Sequence, residues 1–289
     1  MSSRKFNYKS LLRGLFSIAV FIILWEVGAR SKQWLGLDLF SPLRSMLSGL
    51  GFKTAYLPWI GAIPAPTEVL TAWGGVIGDA GYWHSWYMSS FRVAAGFIAA
   101  MLIGIPFGLA LAVSRTAYGI GFPVFEVLRP IPPLAWVPAS IIFWPTQEMS
   151  IAFVTFLGAF YTIVINVVGG AKSIDGRFFQ AAQSMGSSKF DIFRRIILPG
   201  TLPSIVVGSA VGMGITWEVV VAAEMISGGG SQVGGTGGGG LGFFIWNSYV
   251  GGSYEQIVVG MISIGIAGFI SSELLRGLGK YVTPWLRLR

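Results

Sequence analysis

The chain contains no cysteine and one histidine, His84. Disulfides, thiolate metal sites and cysteine nucleophiles are therefore excluded, and a histidine-based metal centre has too few ligands. Charge is scarce as well. Only 11% of the 289 residues are Asp, Glu, Lys or Arg, against about 25% in a soluble domain. What is abundant is apolar: 53% hydrophobic residues, 41 glycines and 14 prolines, with a mean hydropathy of +0.69. Glycine and proline are commoner in membrane helices than in soluble ones. This composition excludes a soluble enzyme, a disordered chain and a nucleic-acid binder, despite a net charge of +8.

A membrane helix needs about 20 mostly apolar residues. Val93–Val113, Met149–Ala171, Gly200–Trp217 and Gln256–Ser272 are apolar runs of about that length without a charge. Pro130–Gln147 is a further candidate, expected to have an irregular start because its prolines remove helical donors. Leu15–Ala29 is shorter and contains Glu26. These make six crossings. The first admits a second reading, since basic residues, an apolar run and small Val27 and Ala29 also lay out a cleavable signal peptide. A retained first helix gives an even count with both ends on one side.

Basic residues accumulate in cytoplasmic loops near span ends. With the N-terminus inside, the inner segments hold Arg4, Lys5, Lys9, Arg13, Arg115, Arg129, Lys172, Arg177, Lys189, Arg194, Arg195, Arg276, Lys280, Arg287 and Arg289. The basic balance is thus topology rather than a nucleic-acid footprint. Thr67–Ser90 is expected to be an amphipathic helix in the interface. Gly228–Gly242 is expected to be a flexible outer loop. It is not a phosphate cradle, because a P-loop needs Lys followed by Ser or Thr after its glycines, and none follows here.

The most specific pattern lies between Lys172 and Pro199. Gln180-Ala181-Ala182 is followed after three residues by Gly186, and after nine more by Ile196-x-Leu198-Pro199. Small alanines allow close seating in a groove, glycine permits a tight turn between short helices, and Leu198-Pro199 is expected to stop the second helix. Phe190, Ile192, Phe193, Arg194 and Arg195 suit a docking surface. This pattern resembles the EAA signature of permease subunits in ATP-binding-cassette importers, with Gln180 in place of the usual Glu. Ile63–Val69, Arg129–Pro138, Val221–Met225 and Thr283-Pro284-Trp285 resemble segments of the nitrate/sulfonate/taurine-type permeases. The resemblance covers roughly residues 60–285.

It implies an all-α integral membrane protein of about six transmembrane helices with the type I importer, MetI-like, permease fold. The implied divisions are 1–30 (tail and first helix), 31–90 (outer loop with interfacial helix), 91–276 (permease core, coupling loop 172–199 and glycine-rich loop 228–242) and 277–289 (cytoplasmic tail). The implied partners are a second permease copy, two cytoplasmic ATP-binding subunits and an external substrate-binding protein, besides membrane lipid. No nucleic acid is implied. No cofactor is expected in this chain, ATP and Mg belonging to the partners. The expected location is the bacterial inner membrane with both termini cytoplasmic. The substrate class is a small anion: nitrate, bicarbonate, taurine or another sulfonate.

An ionisable group inside a membrane is costly and marks a functional candidate. Glu218 and Glu224 are six residues apart, so at about 100° per residue they point in opposite directions. Glu218 is the pathway candidate, and Glu224 a gate or loop brace. Tyr161, Asn166, Thr216 and Trp217 are neutral donors for an anion, or else helix-packing residues. A carboxylate sits awkwardly with an anionic substrate. The competing function is a stand-alone secondary transporter or channel, which has no use for a docking loop. An intramembrane enzyme lacks its constellation.

Overall fold

The computed structural model describes residues 8–35, 41–51, 63–227 and 239–285, and among these every regular element is helical. The helices are α1 (Tyr8–Leu35), α2 (Ser41–Gly49), α3 (Pro66–Val76), α4 (Ala80–Val113), α5 (Arg115–Leu128), a 3-10 turn (Pro133–Trp136), α6 (Val137–Phe143) and α7 (Gln147–Lys172). They continue with α8 (Gly176–Ser184), α9 (Lys189–Ile192), a π-helical turn (Phe193–Ile197), α10 (Leu198–Ile226), α11 (Leu241–Val250) and α12 (Tyr254–Val282). Five helical segments are long and apolar enough to cross a membrane: Leu12–Arg30, Ala80–Val113, Gln147–Lys172, Lys189–Ile226 and Tyr254–Val282. Most of the glycine-rich stretch, residues 228–238, lies outside the described residues.

Two compact units divide the chain. In the first, made from Met1–Asp79 and Ser248–Val259, the carboxylate inside the first apolar run has a partner. Glu26 pairs with Arg30 at 2.6 Å and accepts the backbone N–H of Thr67 at 3.1 Å and its hydroxyl at 2.9 Å. It thereby satisfies a free donor at the start of α3. Pro66 opens α3 and Glu68 reaches back to the Ala65 N–H at 2.9 Å. The expected interfacial helix Thr67–Ser90 is two pieces: α3 ends at Val76, and Ala80–Ser90 is the start of α4.

The second unit, Ala80–Asn247 with Gly260–Arg289, is built on α4, α7 and α10. Small residues recur every fourth position on α4, at Gly96, Ala100, Gly104 and Gly108, which lets backbones approach closely in lipid. A Cβ at Gly96 would sit 2.9 Å from the backbone nitrogen of Phe156, and one at Gly108 2.8 Å from Cβ of Val167. Backbone cannot swing aside as a side chain does. Gly96→Leu is therefore expected to lower stability by about 1–3 kcal/mol, read as a lower melting temperature in detergent. Gly119→Leu, at a position with open space, is expected to melt like wild type.

The expected crossing at Pro130–Gln147 takes a different form. Prolines 130, 132 and 133 withhold donors, and the segment folds as a 3-10 turn and the seven-residue α6, too short to cross alone. α5 supplies the other half. Lys172, the last residue of α7, lies 3.7 Å from the ring centroid of Tyr118 on α5. Phe125 meets Tyr161 at 5.7 Å, Trp136 meets Phe153 at 6.5 Å, and Ser140 meets Ser150 at 2.5 Å. α5 and α6 thus run antiparallel to α7 along its length. Their combined rise of roughly 40 Å matches the roughly 39 Å of α7. Residues 115–143 thus follow α7 along its length as one path broken in the middle.

Candidate functional site

The segment between α7 and α10 is a helix pair with a fixed corner. Asp175 caps α8 by accepting the Arg177 N–H at 2.9 Å. At the other end Gly186 has φ +74°. Its N–H donates to Gln183 O at 2.9 Å, and that of Ser187 donates to Ala182 O at 3.0 Å. This is the paired closure that ends a helix on a left-handed residue. Ser188 then caps α9, accepting the Asp191 N–H at 3.1 Å. The Arg177 side chain holds the Asp175 carboxyl below its usual range. The Ser188 hydroxyl, helped by Arg195 and Arg194, does the same for Asp191. A depressed carboxyl pKa stabilises above the unfolded value and is lost as pH falls through the folded one, so both caps are intact at neutral pH.

Gln180, Ala181, Gly186, Phe190 and Arg194 are exposed on this pair. Ala182 is buried, and Ile196, Leu198 and Pro199 are half-buried. Two expectations need correction. Ile192 is buried and Phe193 half-buried, so neither is surface; Phe178 and Met185, with Phe190, are the exposed apolar side chains. Leu198-Pro199 also does not stop the helix. The π-helical turn lets Leu198 donate to Phe193 O, and Pro199, with no N–H to place, opens α10 without a break.

A second constellation is buried near the other end of α7. Arg92 on α4 donates to Glu224 on α10 at 2.8 Å through one terminal nitrogen, which also reaches Gly239 O at 2.7 Å. Its Nε and other terminal nitrogen bind Glu148 of α7 at 2.8 and 2.5 Å. Glu224 further accepts the Ser89 hydroxyl at 2.8 Å and the Gly242 N–H at 2.9 Å, while Ser89 accepts the Leu241 N–H at 2.8 Å. Arg92 and Glu224 are 2% and 0% exposed. Every strong donor and acceptor here has a partner, which is what makes a buried ion pair tolerable. Glu224 is a brace, and it ties three helices to the start of α11. Sequence reasoning named Glu224 but missed Arg92, Ser89 and Glu148; the signal was a lone basic residue flanking an apolar run.

The remaining pathway candidates do not converge. Tyr161 is buried among Phe125 and Phe160. Asn166 donates to Thr162 O at 2.8 Å and packs over Gly208. Thr216 is buried and bonds Gly212 O at 2.7 Å. Trp217 is buried, its indole N–H 3.0 Å from the Ser271 hydroxyl of α12. Glu218 stands apart: it is exposed, on one face of α10 with Val207, Val211 and Gly214. Among the described residues, no group of three or more His, Cys, Asp and Glu is arranged to hold a metal ion.

Residues 104–288 match the family described as binding-protein-dependent transport system inner membrane component. The chain is 31% identical over 274 residues to the nitrate import permease protein NrtB of Synechocystis, covering 95% of this chain and 90% of that relative. It is 32% identical over 228 residues to the taurine transport system permease protein TauC of Escherichia coli, covering 77% and 80%. Among solved structures, a chain of the MetNI methionine ABC transporter in an inward-facing conformation aligns with a TM-score of 0.53. The alignment covers 70% of this chain and 94% of that one at 21% identity, a likeness of fold.

Proposed function

The chain belongs to the binding-protein-dependent transport system inner membrane component family, and on that premise we propose that its substrate is a small anion or zwitterion of the nitrate, bicarbonate, taurine and sulfonate class. It is the membrane-embedded permease subunit of an ATP-driven importer, with the helical fold of a MetI-type permease. It is not itself an ATPase; hydrolysis belongs to a separate subunit, and a substrate-binding protein delivers the solute. A stand-alone transporter is not favoured.

The finer assembly is our reading. Two identical copies line one pathway, with two ATPases seated on their α8–α9 pairs, and ATP and Mg held by those subunits alone. The observation that carries it is the exposed surface of Phe178, Met185 and Phe190 beside Arg194 and Arg195, on a corner fixed by Gly186. Nucleotide-driven movement of the ATPases then shifts α10 through the continuous π-helical turn, a rigid-body switch between two states. The protein sits in the bacterial inner membrane. We assign the α8–α9 side and both termini to the cytoplasm, a reading that the basic residues of the inner segments support. Glu218, on the exposed face of α10, lines the pathway; Asn166, Tyr161, Thr216 and Trp217 shape the helices behind it.

The test is uptake into proteoliposomes holding the permease, its ATPase and its binding protein. Accumulation of taurine or nitrate is expected to require internal ATP and the external binding protein together. Uptake that ignores ATP and follows an imposed proton or sodium gradient would support the stand-alone transporter instead.

A further inference from the structure

The exposed face of α10 carries one charge. Val207, Val211, Gly214 and Glu218 fall at intervals of four, three and four residues, so they share one side of the helix. The adjoining side is buried against α7, where Gly158 packs on Val219. That contact puts Glu218 at the level of residue 158, about 16 Å along α7 from Gln147. Among the described residues Glu218 makes no hydrogen bond or ion pair. Gly214, one turn away on the same face, has nothing within 4 Å of where a side chain would be, so the space beside the carboxylate is open.

A carboxylate at this depth is costly against lipid, and such groups face a bundle interior or a water-filled cavity. No basic side chain shares the face to neutralise it. A negative charge on an otherwise uncharged face attracts cations and repels anions. We propose that Glu218 is a charge filter on the translocation surface. It passes solutes that carry a cationic amino group, such as zwitterionic aminosulfonates, and opposes simple inorganic anions. The inference rests on the permease reading and narrows its substrate class. Within that class, taurine bears an ammonium group, while nitrate and bicarbonate bear none.

The chain's lack of cysteine gives a direct test on the detergent-purified complex. Val211→Cys and Gly214→Cys would be reacted with a cationic thiosulfonate (ethyltrimethylammonium) and an anionic one (ethylsulfonate). Each rate is divided by that reagent's rate with a free thiol. With Glu218 present, the normalised cation-to-anion ratio is expected to be at least tenfold higher than in the same variants carrying Glu218→Gln. Val154→Cys, buried in the core of α7, is expected to react with neither. A ratio unchanged by Glu218→Gln overturns the filter, as does failure of both reagents at positions 211 and 214. Retention of an ATPase by the same preparation is read separately. A chain that keeps its ATPase but shows no charge ratio loses the filter and remains a permease. A chain that shows the ratio without an ATPase loses the importer reading.

Discussion

Arg92→Met is expected to destabilise the protein by about 3–5 kcal/mol, the cost of leaving a buried charge without its partner. Glu224 is fully buried, and after the change it keeps only the Ser89 hydroxyl and the Gly242 N–H. Glu148 suffers less, because half of its side chain is exposed. The melting temperature in detergent reads the effect. Arg92→Lys keeps the charge but loses the fork that serves two carboxylates and a carbonyl at once, so it is expected to fall between wild type and Arg92→Met. The pair Arg92→Met with Glu224→Leu removes both charges and is expected to recover most of the loss. If Arg92→Met melts with wild type, the buried network does not hold α4, α7 and α10 together.

Gly186→Val is expected to cut the ATPase retained by the purified complex at least tenfold while the membrane core stays folded. Space is not the issue, since nothing lies within 4 Å of a Cβ there. The conformation is. At φ +74° a β-branched residue is a genuine outlier, and restoring a negative φ breaks the two hydrogen bonds that close α8. The α8–α9 angle then changes, and Phe178 and Phe190 no longer present one surface. Gly186→Asn, which tolerates the left-handed region, is expected to retain most of the ATPase. Loss of ATPase with Asn and Val alike would mean that the side chain itself, rather than backbone geometry, obstructs docking.

What the sequence disclosed follows from how local each signal is. Apolar runs reveal α7 and α10 because no charge breaks Met149–Ala171 or Gly200–Trp217. The start of α4 was hidden because His84 and Arg92 shorten the apparent run, although Arg92 is neutralised in the fold by groups 56 and 132 residues away. Such pairing is a property of three dimensions and leaves no spacing to read. The broken path was misplaced for a related reason. Arg115 and Arg129 put α5 in an inner segment, although the three-residue spacing of Glu126 and Arg129 permits the helical ion pair that they form at 3.5 Å. The helix corner was legible because its requirements, a cap and a left-handed glycine, lie within a few residues. Pro199 misled because a π-helical turn absorbs the missing donor, and a proline's usual effect is to end a helix.

The most direct test of the account is site-specific photocrosslinking from the α8–α9 surface. A photoreactive residue at Phe178, Met185 or Phe190 is expected to form an adduct with a nucleotide-binding polypeptide in native membranes. The same residue at Ile142 is expected to form none. Adducts confined to lipid or to this chain itself, from all three positions, would contradict the assignment of this surface to an ATPase and with it the importer mechanism.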